Sequence, residues 1–198
     1  AFADIGVDLG GASLRETAEE LLFNKKLPLD SYKTSIFSLD KKSPTPLVMQ
    51  TAIGQGNTLV SPMHMALITC AIANDGILMK PYLIDEVVNS SGDSVKKTEP
   101  TSYKRLMTGN EANLLQKLMQ QVVNYGTASA LNGRGYTAAG KTGSAEFDEN
   151  GSSHSWFIGY SNIDDPDIVV SIIVENGGSG SEAAVPIAAQ IFDTYYFG

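Results

Sequence analysis

A run of Lys, Thr, Gly and Ser at residues 141–144 has the clearest potential for chemistry in this sequence. In an extended strand, Thr142 and Ser144 place their hydroxyls on one side, whereas Lys141 projects to the other side and is long enough to reach over the rim. Because Gly143 has no side chain, an extended peptide can approach the strand and add to its edge through main-chain hydrogen bonds. These groups predict a site that binds a carboxylate and stabilises a developing oxyanion with the backbone N–H of Ser144.

The last third of the chain has the pattern of a sheet that would carry this run. Three strands are predicted, over Tyr136 to Phe147, His154 to Ser161 and Ile168 to Val174. The turns between them are short, and short turns join antiparallel neighbours. A final helix from Glu182 to Tyr196 can pack on the sheet, after a short flexible loop at residues 177–181. The pattern predicts an α+β fold with an antiparallel sheet flanked by helices.

Upstream of the sheet, capping signals mark the starts of helices. Ser13 with Glu16, and Thr108 with Glu111, fit the pattern in which a hydroxyl and a carboxylate cap the first turn. Ser61 before Pro62 predicts another start. A shorter helix is predicted from Pro46 to Ala52, a hairpin over residues 82–97 and an extended surface connection over residues 24–45. The helix after Thr108 should end at Gly126 and pack with an apolar face made of Leu114, Leu115, Leu118, Met119, Val122 and Val123.

The composition limits the classes of function. The chain has 198 residues, enough for one domain with a sizeable core, and 42 % of them are hydrophobic. Its net charge of -8 argues against a nucleic-acid binder, which needs a basic face. Cys70 is the only cysteine and lies in an apolar helical run, which predicts burial rather than a disulfide. No His/Cys cluster has metal-ligand spacing, so the sequence predicts neither a metal site nor a cofactor.

Three stretches resemble, in order and spacing, the C-terminal part of the transpeptidase domain of class B penicillin-binding proteins. The first joins Thr51-Ala52-Ile53-Gly54-Gln55-Gly56 to Val60-Ser61-Pro62-Met63-His64-Met65-Ala66. The second joins Gly126-Thr127-Ala128 to Ala139-Gly140-Lys141-Thr142-Gly143-Ser144-Ala145-Glu146. The third is Ser155-Trp156-Phe157-Ile158-Gly159-Tyr160. The resemblance covers nearly the whole chain, and residues 1–198 are identified as one portion of such a domain, with the fold shared by penicillin-binding proteins and β-lactamases.

The resemblance implies a peptidoglycan D,D-transpeptidase that works by serine acyl transfer and is a target of β-lactams. Lys141 would organise the active-site hydrogen bonds and orient the substrate carboxylate, which the hydroxyls of Thr142 and Ser144 would bind. The amide of Ser144 would form half of the oxyanion hole, and Gly143 would let the substrate lie against the strand. Trp156 is either a core or wall residue or a contact to substrate in the cleft.

The resemblance also implies partners and a location. The expected ligands are peptidoglycan stem peptides and β-lactam antibiotics. The family is held at the extracytoplasmic face of the bacterial membrane by an N-terminal helix, in contact with other cell-wall synthesis proteins. No apolar run of this sequence reaches the ~18 residues that a membrane span needs.

Two motifs of the family have no convincing counterpart in this chain. The family's nucleophile lies in Ser-x-x-Lys at the start of a buried helix, where a desolvated lysine can act as base. The literal matches begin at Ser38, in the polar connection, and Ser94, in a hairpin, and neither has that setting. The second family motif, Ser-x-Asn, does not occur. Tyr160-Ser161-Asn162 matches the Tyr-x-Asn variant of this motif, but it follows the Lys-Thr-Gly run rather than preceding it. The sequence therefore predicts a C-terminal portion that starts shortly after the second motif, is inactive alone and exposes apolar surface.

Other readings of the sequence stay open. A non-catalytic module that binds β-lactams or peptidoglycan peptides as a sensor or scaffold would carry the same run, and a serine β-lactamase would need a deacylating glutamate that is not evident. Glu146 and Asp148 could form a glycosidase-like dyad, although a solvated strand end is the expected setting. His154 is expected at a strand edge beside the site, and His64 is expected to be structural.

Overall fold

The computed structural model describes residues 1–29, 32–147 and 153–198. The helices are α1 (Phe2–Glu20), α2 (Thr45–Ala52), α3 (Pro62–Ala73), α4 (Gly109–Tyr125) and α5 (Ala184–Phe197). The strands are β1 (Ile77–Met79), β2 (Glu86–Val88), β3 (Ser94–Lys97), β4 (Ser102–Arg105), β5 (Ala138–Glu146), β6 (Ser153–Ser161) and β7 (Ile168–Val174). No helix in these ranges is long and apolar enough to cross a membrane. The predicted α+β class is confirmed.

The main sheet has the strand order β5-β6-β7, and both pairs are antiparallel, as predicted. On one face, Phe157 and Val170 pack against α5 through Val185, Ala188 and Phe192. On the other face, a second cluster joins the sheet to α3 and α4, and its buried members are Ile68, Ile72, Met119, Ala139 and Tyr160. Helices on both faces hold β5, and with it the Lys-Thr-Gly run, in a fixed position.

Two of the three predicted helix caps are present. Ser61 Oγ accepts a hydrogen bond of 3.2 Å from the backbone N–H of His64. Thr108 and Glu111 form the reciprocal capping box, and α4 ends at Gly126 as expected. The prediction for Ser13 is wrong, because Gly10 adopts a left-handed φ of 78° and the second half of α1 is already helical at Gly11. Ser13 therefore lies inside the helix, where its side chain cannot act as the N-cap.

The apolar face predicted for α4 is only partly buried. Met119 and Val123 are buried in the core, whereas Leu114 and Leu118 remain more than half exposed. The apolar stripe is wider than the surface that α4 contacts, which explains why periodicity placed too many residues in the core.

The segment predicted to be extended over residues 24–45 has no helix or named strand in its described part before Thr45, but it is not entirely at the surface. Leu27 and Leu39 are buried. The start of the segment is tied to its middle, because the side chain of Asn24 donates to Phe37 O at 2.9 Å and accepts from Phe37 N at 3.0 Å. The hairpin β2–β3 is present, whereas the pairing of β1 with β4 was not predicted, since both strands have four residues or fewer.

Candidate active-site cleft

A cleft of about 510 Å³ lies beside β5 and contains the Lys-Thr-Gly run. Its walls come from three places: the loop after α2, the start of α3, and strands β5 and β6. Gln55 and Met65 line one side, and Lys141, Ser144 and Trp156 line the other. The structure thus brings residues of all three family-like stretches, which are far apart in sequence, to one concave site.

The register of the sheet decides which way the site residues face. Lys141 pairs with Ile158 and Gly143 pairs with Trp156, so these residues share one face of the sheet. Thr142 and Ser144 lie on the opposite face of the strand, with their hydroxyls on the same side as predicted. Lys141 and Ser144 are exposed, and Thr142 is half-buried.

The outer edge of β5 is unpaired by any strand among the described residues. Two of its carbonyls accept hydrogen bonds from side chains: Lys141 Nζ donates to Thr142 O at 2.6 Å, and Gln55 Nε2 donates to Ser144 O at 3.3 Å. In an antiparallel ladder the N–H and C=O of one residue point to the same edge. The N–H of Ser144 therefore points to the cleft side, where an added peptide strand or an oxyanion can accept from it.

Gly143 and Trp156 pack closely together in the wall of the cleft. A Cβ at position 143 would lie 3.2 Å from Trp156 Cβ, so a larger residue would crowd the tryptophan. Trp156 is half-buried and lines the cleft, which fits both of the roles expected for it. Tyr160, on the same face, is fully buried, and burial raises the pKa of its hydroxyl to about 12.

Thr142 is held between two segments that sequence reasoning gave no role in the site. Its Oγ1 lies 2.6 Å from Thr127 Oγ1. From another side the loop before α5 approaches so closely that a Cβ at Gly180 would lie 2.8 Å from Thr142 Cβ. Thr127 was visible in the Gly-Thr-Ala stretch of the resemblance, whereas no pattern in the sequence pointed to Gly180.

The loop at residues 177–181, predicted to be flexible, is anchored to β6. Ser153 Oγ donates to Gly178 O at 2.9 Å, and Ser155 Oγ donates to Ser179 O at 2.8 Å. Ser155 is fully buried and also accepts from Ala184 N at 3.0 Å. These bonds explain why a glycine-rich loop has one conformation here, with Gly180 buried against the strands.

The two literal Ser-x-x-Lys matches lie away from this cleft. Ser38 is in the irregular segment before α2, and Ser94 is in the exposed strand β3. Neither serine lines the cleft beside Lys141. The setting that a serine nucleophile needs, a helix start with a desolvated lysine, is therefore not provided by either match.

The remaining candidates have structural surroundings. His154 Nδ1 accepts from Asn176 N at 3.2 Å, and its ring stacks on Phe147 at 4.2 Å. His64 is buried and its Nε2 lies 2.7 Å from Leu21 O, in agreement with a structural role. Cys70 is half-buried, and burial raises the pKa of its thiol. Glu146 is exposed, and its suggested partner Asp148 lies outside the described residues.

No group of three or more His, Cys, Asp or Glu side chains within residues 1–29, 32–147 and 153–198 is arranged to hold a metal ion. The cleft itself contains hydroxyls, backbone amides and one lysine. These are groups that can bind an anion.

Comparison with known proteins identifies the family. The model of the penicillin-binding protein transpeptidase domain matches residues 1–193. The chain belongs to the penicillin-binding protein transpeptidase family. Among the relatives of this transpeptidase chain is the peptidoglycan D,D-transpeptidase PbpA of Mycolicibacterium smegmatis, 28 % identical over 94 % of the chain and 40 % of that protein. Penicillin-binding protein 3 of Bacillus subtilis is 30 % identical over 90 % of the chain and 27 % of its own length.

Solved structures agree with the fold. The D,D-transpeptidase domain of a peptidoglycan glycosyltransferase from Eggerthella lenta matches with a TM-score of 0.86, at 30 % identity, over 98 % of the chain and 49 % of that structure. An imipenem acyl-enzyme complex of penicillin-binding protein A from M. tuberculosis matches with a TM-score of 0.85 at 25 % identity. The match covers 98 % of the chain and 44 % of that structure. The chain spans less than half the length of these relatives.

Proposed function

We propose that this chain is the C-terminal portion of a peptidoglycan D,D-transpeptidase domain, and that its cleft binds the stem peptide or a β-lactam during acyl transfer. The observation that carries the proposal is the open edge of β5, where the Lys-Thr-Gly run meets the cleft with Ser144 N–H directed outward. The names of the relatives support the same class: PbpA is a D,D-transpeptidase, and the M. tuberculosis protein forms an acyl-enzyme with imipenem.

The residues of β5 then have distinct roles. The substrate strand lies against Gly143, and the hydroxyls of Thr142 and Ser144 bind its terminal carboxylate. When the serine oxygen attacks the carbonyl carbon, the negative charge that develops on the carbonyl oxygen is stabilised by Ser144 N–H. Collapse of this intermediate breaks the D,D-peptide or β-lactam C–N bond and leaves a serine ester. The base of the parent protein takes the serine proton and passes it to the leaving nitrogen, which departs as the amine of the terminal residue or stays attached in the opened β-lactam. Lys141 organises the hydrogen bonds at this edge, and Trp156 forms the wall.

We infer further that these 198 residues do not acylate by themselves. In the cleft, Ser144 is the only serine among the described lining residues. The lysine of that lining, Lys141, is exposed and donates to Thr142 O, so it is not the desolvated base that a serine nucleophile needs. Ser38 and Ser94 are exposed and lie elsewhere. The nucleophile, its lysine and the second motif would come from the rest of the parent protein, which we place at the extracytoplasmic face of the membrane with other cell-wall synthesis proteins.

The first test is the intact mass of the chain, and of the parent protein that contains it, after incubation with benzylpenicillin. We expect no adduct on the chain and one covalent adduct on the parent. A stoichiometric adduct on the chain would show that a serine within it is competent, and Ser38→Ala and Ser94→Ala would identify which. Reversible binding to the parent with no adduct would favour the sensor or scaffold alternative.

A variant pair tests the site assignment in the parent. Lys141→Ala should lower the rate of acylation by at least about tenfold, as expected for loss of a charged group that organises the site. Lys97→Ala, in the exposed hairpin, is the matched control and should leave the rate unchanged. Equal rates for both variants would place the essential lysine elsewhere.

A further inference from the structure

Thr127 is a hydroxyl residue beside the Lys-Thr-Gly strand to which the proposed function gives no role. Its Oγ1 lies 2.6 Å from Thr142 Oγ1, a normal distance for a hydrogen bond between two hydroxyls. Thr127 is exposed and Thr142 is half-buried, so the pair can be reached from solvent. A ligand that contacts the Thr142 hydroxyl would therefore meet an oxygen that already has one hydrogen-bonding partner.

The position of Thr127 is set by the end of α4. The backbone N–H groups of Gly126 and Ala128, on either side of it, both donate to Val122 O, at 3.1 and 3.2 Å. Ala128 is fully buried in the core cluster below the sheet. Because both neighbours are held, the Thr127 side chain starts from a fixed backbone and has few ways to move from Thr142.

Thr142 is restricted from another direction by the loop before α5. Gly180 lies against its Cβ and against the backbone oxygens of Trp156 and Gly143, with no room for a side chain. With Thr127 and Gly180 on two sides of it, the Thr142 side chain has little freedom to rotate, and a further hydrogen-bond partner must approach from the remaining open side. Ser144 lies two residues along the strand on the same face and adds a second hydroxyl there.

Hydrogen-bond counting shows what the pair offers an anion. Two hydroxyls carry two protons, and the bond between them uses one. If Thr127 donates to Thr142, the proton of Thr142 remains free to donate to a ligand; the opposite direction uses that proton. A carboxylate can only accept, so its binding selects the arrangement in which Thr127 donates and Thr142 passes a polarised O–H to the anion.

We propose that Thr127 is a positioning residue that orients the Thr142 hydroxyl toward the carboxylate of the stem peptide or of a β-lactam. Thr127 acts through Thr142 and need not touch the reacting atoms. The inference rests on the proposed function, because it assumes that this edge of β5 receives the carboxylate.

The test compares Thr127→Val, which keeps the shape of the side chain and removes the hydroxyl, with Thr127→Ser, which keeps the hydroxyl. The measured quantity is the second-order rate of acylation of the parent protein by benzylpenicillin and by its methyl ester, in which the carboxylate is neutralised. For Thr127→Val we expect the rate with the acid to fall about tenfold, as for one lost hydrogen bond, and the rate with the ester to change less than about twofold. Thr127→Ser should resemble the wild-type protein with both compounds.

The ratio of the two rates does not depend on the fraction of protein that is folded, so a partly unfolded Thr127→Val sample remains informative. Thr127→Ala replaces it if no folded Val variant is obtained. A parallel fall with acid and ester, or no fall with either, would overturn the positioning role. If neither compound acylates the wild-type parent, the proposed function fails first and the inference falls with it.

Discussion

At the scale of the residue, Gly180 packs so closely against β5 and β6 that any side chain there would displace the strand that carries the Lys-Thr-Gly run. A Cβ at this position would lie 2.6 Å from Trp156 O and 2.9 Å from Gly143 O. Both are backbone atoms of the strands that carry the cleft, so they cannot move aside as the end of a flexible side chain could. The local packing therefore requires glycine at this point of the loop, although its φ lies outside the left-handed region.

We expect Gly180→Ala to lower the free energy of unfolding by about 1–3 kcal/mol, the usual cost of overpacking. The same variant should shift β5 and slow acylation of the parent. The matched control is Gly109→Ala, because at Gly109 the nearest atom to a new Cβ is 3.9 Å away. That control should change stability by no more than about 0.5 kcal/mol. Urea denaturation of both variants measures the difference, and equal stabilities would contradict the packing argument.

At the scale of the element, His64 joins α3 to the end of α1. The buried imidazole lies 2.7 Å from Leu21 O through Nε2 and 4.7 Å from the ring of Phe23. Burial lowers the pKa of His64 from its ordinary value of 6.5, because the desolvation cost of the charged ring outweighs the hydrogen bond to Leu21. The neutral ring thus links α3 to the end of α1, where Leu22 and Leu67 share one core cluster.

This link predicts a pH dependence of stability. The unfolded chain binds a proton at His64 near pH 6.5, whereas the folded chain does so only at lower pH. The free energy of unfolding should therefore fall as the pH drops below about 6.5, by no more than about 1.4 kcal/mol per pH unit for this group. His64→Gln keeps an amide that can donate to Leu21 O and does not titrate. The slope between pH 7 and about 5.5 should be smaller in this variant, and an unchanged slope would exclude His64 as its source.

At the scale of the whole molecule, apolar surface remains uncovered on α4. Leu114, Leu115 and Leu118 form the α4 leucine stripe, and Leu114 and Leu115 line a groove of about 700 Å³ together with Leu21 and Leu106. Exposed contiguous apolar surface of this kind favours association. The chain is therefore expected to be less soluble as a monomer than its charge of -8 alone would suggest.

We expect the chain to self-associate as its concentration is raised, since burial of the α4 leucine stripe removes apolar surface from water. Multi-angle light scattering should give a mass above the monomer mass of 21.1 kDa. The double variant Leu114→Lys, Leu118→Lys should return the mass toward the monomer. Leu83→Lys, at an exposed leucine in the loop before β2, is the control and should leave the mass unchanged. A monomeric wild-type chain would show that this surface is tolerated in water.

Local patterns in the sequence determined the elements and the chemistry of the strand. Proline and hydroxyl residues placed the starts of α3 and α4, because a helix cap is made by side chains within a few residues of each other. Alternation within β5 placed the hydroxyls of Thr142 and Ser144 on one side, and short turns implied antiparallel neighbours. The resemblance to penicillin-binding transpeptidases likewise rested on short runs of neighbouring residues, such as Lys141-Thr142-Gly143-Ser144.

Only the tertiary structure decided which distant segments complete the site. Gln55 is 89 residues from Ser144, and Thr127 is 15 residues from Thr142. Gly180 lies in the loop before α5, and no local periodicity relates these residues to β5. The same holds for Gly10 and for the outward leucines of α4, where packing against the rest of the fold set the helix boundary and the buried face. Caps, turns and strand alternation depend on interactions between residues close together in sequence. The contacts that complete the site depend instead on how the helices and the sheet pack in space.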